Sequence, residues 1–339
     1  MRIEAPYLLF AGDARDALAA KTGQGIVDWR PERCLGQLRL PGCRADHGLP
    51  DMTVPEAAER GARTFVIGTV GPGGILPEAW VPTLVEAVEA GMDVASGLHT
   101  RLGSFDVLAD AARRHGRRLI DVRVPRRDFP TGSGSPRSGK RLLTVGTDCA
   151  VGKKYTALAL ERALRRRGVD ADFRATGQTG ILIAGEGVAV DAVPADFVSG
   201  AVEVLTPAAV DDHWDVVEGQ GSLFHPSFAG VSLGLLHGAQ PDVFVVCHEP
   251  TRRTMRNVPA PMPSVTTVID ATIALGRLTN PDIRCAGVAV NTAALAEPEA
   301  RRMVEGCAAE LDLPVTDPVR FGVDTIVAPL LEDAGEARP

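Results

Sequence analysis

The chain has little of what marks a secreted, membrane-bound or nucleic-acid-binding protein. No run of apolar residues reaches the length needed to span a bilayer. The first 18 residues carry too short an apolar run for a signal peptide and lack a small-residue cleavage site. The net charge of −7 has both signs interleaved, which leaves no basic stripe for nucleic acid. We therefore expect a cytoplasmic protein that binds neither a membrane nor nucleic acid.

Cysteine pairs at disulfide-framework or zinc spacing are also missing. The six cysteines are scattered, and no two of them form a Cys-x-x-Cys pair. This pattern predicts neither a disulfide frame nor a zinc site, and only Cys149 lies in a functional motif.

The chain does have regular alternation of strand-like and helix-like segments. At 339 residues and 45% hydrophobic content it exceeds one average domain. Alternation predicts parallel sheets with crossover helices. Residues 126–140 have the Gly, Ser and Pro content of a linker. We therefore predict an α/β protein with a Rossmann-like domain in residues 1–125, a linker in 126–140 and a second doubly wound domain in 141–339.

Two segments of the first half lack a regular apolar pattern. Residues 20–37 are interpreted as a loop that presents side chains to a cleft. The glycine-rich turn at 68–80 follows a predicted strand and opens a predicted helix, but it lacks the GxGxxG order of dinucleotide-binding proteins.

A phosphate-binding motif opens the second half. Two glycines bracket five residues before Lys153, between a predicted strand and a predicted helix. Backbone N–H groups and the helix dipole at such a turn attract anions. The spacing and the Gly-Thr-Asp opening are similar to the dethiobiotin synthetase branch of P-loop NTPase-like proteins. We expect the cofactor to contact Gly146, Thr147, Asp148, Cys149, Ala150, Val151, Gly152, Lys153, Lys154 and Tyr155.

Lys154 departs from that branch at one decisive position. Relatives that hydrolyse nucleotides place a Ser or Thr after the lysine, and its hydroxyl binds magnesium. An ammonium group cannot ligate a cation, so a polyanion bound without metal suits this loop better. A carboxylate such as Asp148 or Glu218 is the remaining candidate for holding magnesium elsewhere.

Polar residues follow several predicted strands of the second domain. Glu218 ends a buried strand and is a candidate general base, and His225, seven residues later, is the alternative. Asn291 ends the strand at which P-loop relatives often contact adenine.

Two further segments are candidates for substrate binding. Gln178 and Thr179 lie between glycines after a predicted strand, where the backbone suits small polar groups. Arg252, Arg253 and Arg256 follow another strand. Guanidinium groups bind carboxylates in bidentate fashion, so Arg252 and Arg253 are the predicted clamp for an acidic substrate.

Four motifs in this order resemble one family along nearly the whole chain: GTDCAVGKKYTALAL, ATGQTGILIAG, EGQGSLFHP and CHEPTRR. They resemble the DgcN family of D-glutamate N-acetyltransferases. The resemblance implies acetyl transfer from acetyl-CoA to the amine of D-glutamate or a related D-amino acid. Coenzyme A carries phosphates that the loop can hold, and its thioester requires no phosphoryl transfer.

Two other functions fit the same residues. An ATP- and magnesium-dependent ligase or kinase of the dethiobiotin synthetase class would use the loop and Glu218, but Lys154 counts against it. A regulatory protein would bind a nucleotide without chemistry. For any of the three, the size of the α/β core leads us to expect a homo-oligomer.

Overall fold

The computed structural model describes residues 2–69, 74–125 and 128–336. Residues 70–73 of the predicted turn at 68–80 and the first two residues of the predicted linker lie outside these ranges. No helix in the described ranges combines the length and apolar character needed to span a membrane.

The N-terminal part of the chain alternates strands and helices as predicted. Its elements are β1 (Tyr7–Gly12), α1 (Lys21–Trp29), β2 (Cys34–Arg39), α2 (Val54–Glu59), β3 (Thr64–Ile67), α3 (Val81–Glu89), β4 (Asp93–Ser96), α4 (Asp106–His115) and β5 (Leu119–Asp121). The five strands form a parallel sheet in the order β2-β1-β3-β4-β5. This is the expected Rossmann-like arrangement.

The C-terminal part continues the alternation. Its elements are β6 (Lys140–Gly146), α5 (Lys153–Arg166), β7 (Ala171–Arg174), α6 (Gln178–Ala184), α7 (Val198–Leu205), β8 (Trp214–Val217), α8 (Ala229–Ala239), β9 (Val243–His248), α9 (Val265–Gly276), β10 (Arg284–Val290), α10 (Glu297–Leu311), β11 (Val315–Thr316) and α11 (Asp324–Glu336). Its six strands form a parallel sheet in the order β11-β10-β9-β6-β8-β7. The strand that carries the phosphate loop, β6, therefore lies inside the sheet between β9 and β8.

Burial explains why these apolar runs are strands of parallel sheets. Every residue of β1 is buried, and so is every residue of β3, β4 and β8. Strands covered by helices on both faces read as continuous apolar runs. In the first sheet, the ring centroid of Phe10 lies 5.2 Å from those of both Phe65 and Trp80, at the centre of the core.

The chain forms two compact units, and the boundary between them is not a single division at the linker. The first unit contains Met1–Arg126 and Gly177–Ala192, and the second contains the remainder. Within the first unit α6 packs against α1, and Ile3 N donates to Gly185 O at 2.6 Å. The segment that carries Gln178 and Thr179 thus belongs to the first unit although it follows β7 in sequence.

The predicted linker is held on the second unit over the residues described. The backbone N–H groups of Ser133 and Gly134 donate to the carboxylate of Glu203 on α7. Arg137 donates to Thr206 O at 2.9 Å and to Gly238 O at 2.7 Å. The linker therefore connects the two halves in sequence, and its small residues also pack closely against α7.

The interpretation of residues 20–37 as a loop is wrong. They contain α1 and the start of β2. The apolar periodicity of these residues is weak because α1 packs through glycine, which contributes no apolar side chain to the pattern. A Cβ at Gly23 would lie 2.5 Å from His47 Nε2. Close tertiary contact, which no local pattern reports, stabilises this helix.

Candidate active site at the phosphate loop

The phosphate loop joins β6 to α5 through residues 147–152. A Cβ at Gly146 would lie 2.8 Å from Val151 Cγ2 and 3.1 Å from Lys153 Nζ, so the tight turn requires glycine. Gly152 has a φ of +108°, which side-chain-bearing residues rarely adopt. The two glycines that define the motif therefore stand where the backbone needs them.

The N-terminal end of α5 supplies positive charge and backbone N–H groups that have no acceptor within the helix. The first bond within the helix runs from Thr156 N to Gly152 O at 3.0 Å, so the N–H groups before it have no helical acceptor. Lys153 is buried and donates from Nζ to Asp148 O at 2.7 Å, and burial lowers the pKa of its ammonium group. Lys154 Nζ lies 4.4 Å from the centroid of the Tyr155 ring. This end of the helix can bind an anion.

Arg252 supports the loop from the segment after β9. Its Nη1 donates to Asp148 Oδ2 at 2.8 Å, and its Nε donates to the Glu249 carboxylate at 3.0 Å. Its Nη2 donates to the carbonyls of Cys149 and Ala150 at 3.2 and 3.1 Å. We call this set of contacts the loop brace. The guanidinium predicted to bind a substrate carboxylate is thus directed at protein acceptors.

Asp148, Cys149 and His225 bring an oxygen, a sulfur and a nitrogen within 4.8 Å of one another. Asp148 is fully buried, and its Oδ1 has no hydrogen-bond partner within the described residues. His225 Nδ1 accepts from Ser227 N at 3.2 Å and its Nε2 lies 2.9 Å from Arg256 O, so a ring with its proton on Nε2 satisfies both contacts. Burial raises the pKa of the Cys149 thiol, which keeps it protonated near neutral pH. Zinc accepts these donor types, although the loop around them is rich in positive charge.

Glu218 follows β8 and lies beside the loop. Its Oε2 accepts from Thr176 N at 3.0 Å. Gly219 donates its N–H to Thr144 Oγ1 at 2.9 Å. A Cβ at Gly219 would lie 1.6 Å from Thr144 O and 3.1 Å from Lys153 Cδ. Glycine at 219 therefore permits the chain after β8 to approach Thr144 and the Lys153 side chain closely, while the buried Glu218 carboxylate is held by Thr176 N.

A cavity of about 250 Å³ opens beside the N-terminal end of α5. Gly152 and Tyr155 contribute to its wall, and so does Asn291 at the end of β10. Asn291 Oδ1 accepts from Ala293 N at 3.1 Å, which leaves the amide NH₂ as the donor for a ligand. This volume lies just below the range of about 300 to 1,000 Å³ that is typical of small-molecule sites. The structure thus brings Asn291 and the phosphate loop to one cavity.

The remaining predicted residues lie in different places. Gln178 and Thr179 begin α6 in the first unit, where Gln178 Cγ lies 3.3 Å from the Cβ position of Gly97, just after β4. Arg253 is exposed on the segment after β9, as is Arg256. Gln178 and Thr179 therefore belong to a different compact unit from the loop, Glu218 and the arginines.

Several residues that hold the site together had no signal in the sequence. Thr144 and Thr176 fix the end of β8, and His248 Nδ1 lies 3.0 Å from Thr147 Oγ1. Burial lowers the pKa of His248. A threonine inside an apolar strand reads as a strand former, so its role became visible only once the neighbouring strand was known.

Comparisons with known proteins agree with this architecture. A family model described as a P-loop domain of unknown function, DUF1611_C, matches residues 129–327, and a Rossmann-like domain of unknown function, DUF1611_N, matches residues 38–125. Proteins named D-glutamate N-acetyltransferase from Pseudoalteromonas sp and Tritonibacter scottomollicae are each 51% identical to this chain. The matches cover 97% and 96% of this chain and 100% and 98% of those proteins. The crystal structure of a DUF1611 family protein from Anabaena variabilis superposes with a TM-score of 0.82 at 31% identity, covering 97% of this chain and 100% of that one.

Proposed function

Because the chain belongs to the DUF1611 family, in the DgcN group of D-glutamate N-acetyltransferases, we propose that it transfers an acetyl group from acetyl-CoA to the amine of D-glutamate. One observation carries the proposal beyond family membership. The phosphate loop presents Lys153 and Lys154 at the start of α5, with a lysine where nucleotide hydrolases keep a magnesium-binding hydroxyl. Such a loop suits a cofactor whose phosphates are held and not cleaved.

The residues present fit coenzyme A. Its pyrophosphate suits the loop and the N-terminal end of α5, and its adenine suits the cavity, where the Asn291 amide can donate to a ring nitrogen. When bound, acetyl-CoA supplies an acyl group that is already activated as a thioester.

Glu218 is the base that the geometry favours. The amine of an amino acid is protonated near neutral pH, so a proton must be removed before attack. Both ring nitrogens of His225 are engaged by Arg256 O and Ser227 N. Glu218 is a buried carboxylate that accepts from Thr176 N, and the backbone of the next residue, Gly219, approaches the Lys153 side chain. We assign proton removal to Glu218 and a role in fixing the Arg256 segment to His225.

The substrate carboxylates require cations other than Arg252. Arg252 belongs to the loop brace, while Arg253 and Arg256 are exposed on the same segment. We propose that Arg253 and Arg256 hold the carboxylates of D-glutamate. Substrate contacts by Gln178 and Thr179 stay predictions from the sequence, as do a cytoplasmic location and a homo-oligomeric state.

The test is free-thiol release from acetyl-CoA by the purified chain. Wild-type protein is assayed with D-glutamate, L-glutamate and other D-amino acids, each with and without EDTA. We expect release with D-glutamate that persists in EDTA. Release abolished by EDTA would instead assign a metal to the site, with the Asp148, Cys149 and His225 trio as its first candidate. Silence with every amine, together with ADP release from ATP and magnesium on an acid, would place the protein in the ligase class.

A further inference from the structure

The cavity beside α5 contains a cationic group, Arg320, in addition to the lysines of the phosphate loop. A nucleoside diphosphate bound at the phosphate loop would not require this additional group. Arg320 lines the cavity together with Gly152, Tyr155 and Asn291. It follows β11, on the side of the cavity formed by residues 317–320, whereas Lys153 and Lys154 belong to the phosphate loop. The cavity therefore has a second source of positive charge.

The carboxylate in the same wall, Asp317, is hydrogen-bonded to groups other than the Arg320 guanidinium. Asp317 Oδ2 accepts from Thr292 N at 2.9 Å and from Thr292 Oγ1 at 2.5 Å. Its Oδ1 accepts from Val319 N at 2.9 Å and from Arg320 N at 3.1 Å. Four donors thus satisfy the buried carboxylate, and two of them fix the backbone that carries Arg320.

The Arg320 guanidinium is oriented but not paired with an acid. Its Nη2 donates to Leu295 O at 2.7 Å. Within the described residues no carboxylate lies within salt-bridge distance of it. A guanidinium has five N–H donors, so most of them remain for a ligand. An exposed cation set on a backbone fixed by Asp317 can bind an anionic group at the cavity mouth.

We propose that Arg320 binds a ribose 3′-phosphate, and that this subsite distinguishes coenzyme A from adenine nucleotides. The inference rests on the proposed function, since it assumes that the pyrophosphate lies on the phosphate loop and the adenosine in the cavity. Coenzyme A carries a phosphate monoester on the 3′-oxygen, which ATP and ADP lack. Guanidinium–phosphate pairs are strong because several N–H groups meet several oxygens.

The test compares acetyl-CoA with 3′-dephospho-acetyl-CoA as acetyl donors. We expect wild-type protein to prefer acetyl-CoA by about tenfold or more in kcat/KM. Arg320→Gln should raise the KM for acetyl-CoA, leave the dephospho donor unchanged and bring the two donors close to parity. The matched control is Arg302→Gln, an equal change of charge at an exposed position on α10 that does not line the cavity, and it should keep the wild-type preference.

An equal preference in wild type and Arg320→Gln would overturn the proposal, as would a wild-type protein that uses both donors equally. The ratio stays informative if the variant is less stable, because a folding defect lowers both rates together. If wild-type protein transfers acetyl from neither donor, the proposed function fails and the subsite is measured by calorimetry. Wild-type protein should then bind adenosine 3′,5′-bisphosphate about tenfold tighter than 5′-AMP. Arg320→Gln should bind the two nucleotides with similar affinity. Equal binding of the two nucleotides to wild type would refute the subsite.

Discussion

Replacing Arg252 with methionine tests whether this residue supports the phosphate loop or binds substrate. In the structure its guanidinium joins the fully buried carboxylate of Asp148 to Glu249 and to two loop carbonyls. Methionine retains much of the side-chain volume but removes every donor. The loop would then lose the contacts that fix its outer side.

The magnitude follows from the burial of the pair. Asp148 is 0% exposed and the Arg252 side chain is 24% exposed. Removing one partner of a buried ion pair costs about 3 to 5 kcal/mol. Asp148 keeps the N–H of Arg256 at 2.7 Å and Arg252 is partly solvated, so we expect the low end, about 3 kcal/mol. Asp148→Asn in the Arg252→Met background removes the stranded charge and should recover about 1 to 2 kcal/mol.

The assay is chemical denaturation of the two single variants and the double variant, with steady-state kinetics on each. If the loop brace supports the loop, Arg252→Met should lose much of its stability, and the double variant should lose less than the sum of the two single losses. The KM for acetyl-CoA should rise in Arg252→Met, while the KM for D-glutamate should stay unchanged. A variant of wild-type stability whose KM rises only for D-glutamate would refute the brace and restore Arg252 as the substrate clamp.

Two other predictions concern proton removal and pH. Glu218→Gln should lower kcat by about 100-fold or more with little change in KM, because a general base contributes to the reaction step; His225→Gln is the matched control, and a larger kcat loss in that control would exchange the two roles. Burial alone would lower the pKa of His213, but hydrogen bonds to Asp170 and Asp215 outweigh it and raise the pKa above its ordinary value. A raised folded-state pKa stabilises the protein below about pH 6.5 and the contribution is lost as pH rises through the folded-state pKa. His213→Gln should therefore cost more stability at pH 6 than at pH 9 in urea unfolding, and an equal cost at both would contradict the assignment.

The phosphate loop was predictable from sequence because its chemistry depends on local backbone geometry. A strand, glycines at 146 and 152, and a lysine before a helix specify the turn without reference to distant residues. The positions of Glu218 and Asn291 at one edge of the second sheet were predictable for a related reason, while their roles stay predictions. Both follow strands of a parallel sheet, and the carboxyl ends of such strands share one edge.

The loop brace was not predictable, because it depends on two segments about a hundred residues apart. The sequence offers Arg252 and Arg253 as adjacent guanidinium groups, and nothing local states that one meets Asp148 while the other is exposed. The same limit applies to His225, whose ring is engaged by the backbone of Arg256.

The sequence by itself determined the α/β class, the phosphate loop, the absence of a hydroxyl at position 154 and the family resemblance, since each is a local pattern of residue types. Tertiary structure decided which polar side chains serve the fold and which are left for ligands. It placed Gln178 in the first unit, paired Arg252 with Asp148 and left Arg320 facing the cavity without an acidic partner within the described residues. The physical reason is that a polar group's role depends on which donors and acceptors the fold brings within about 3 Å of it, and those partners come from strands and loops that are distant in sequence.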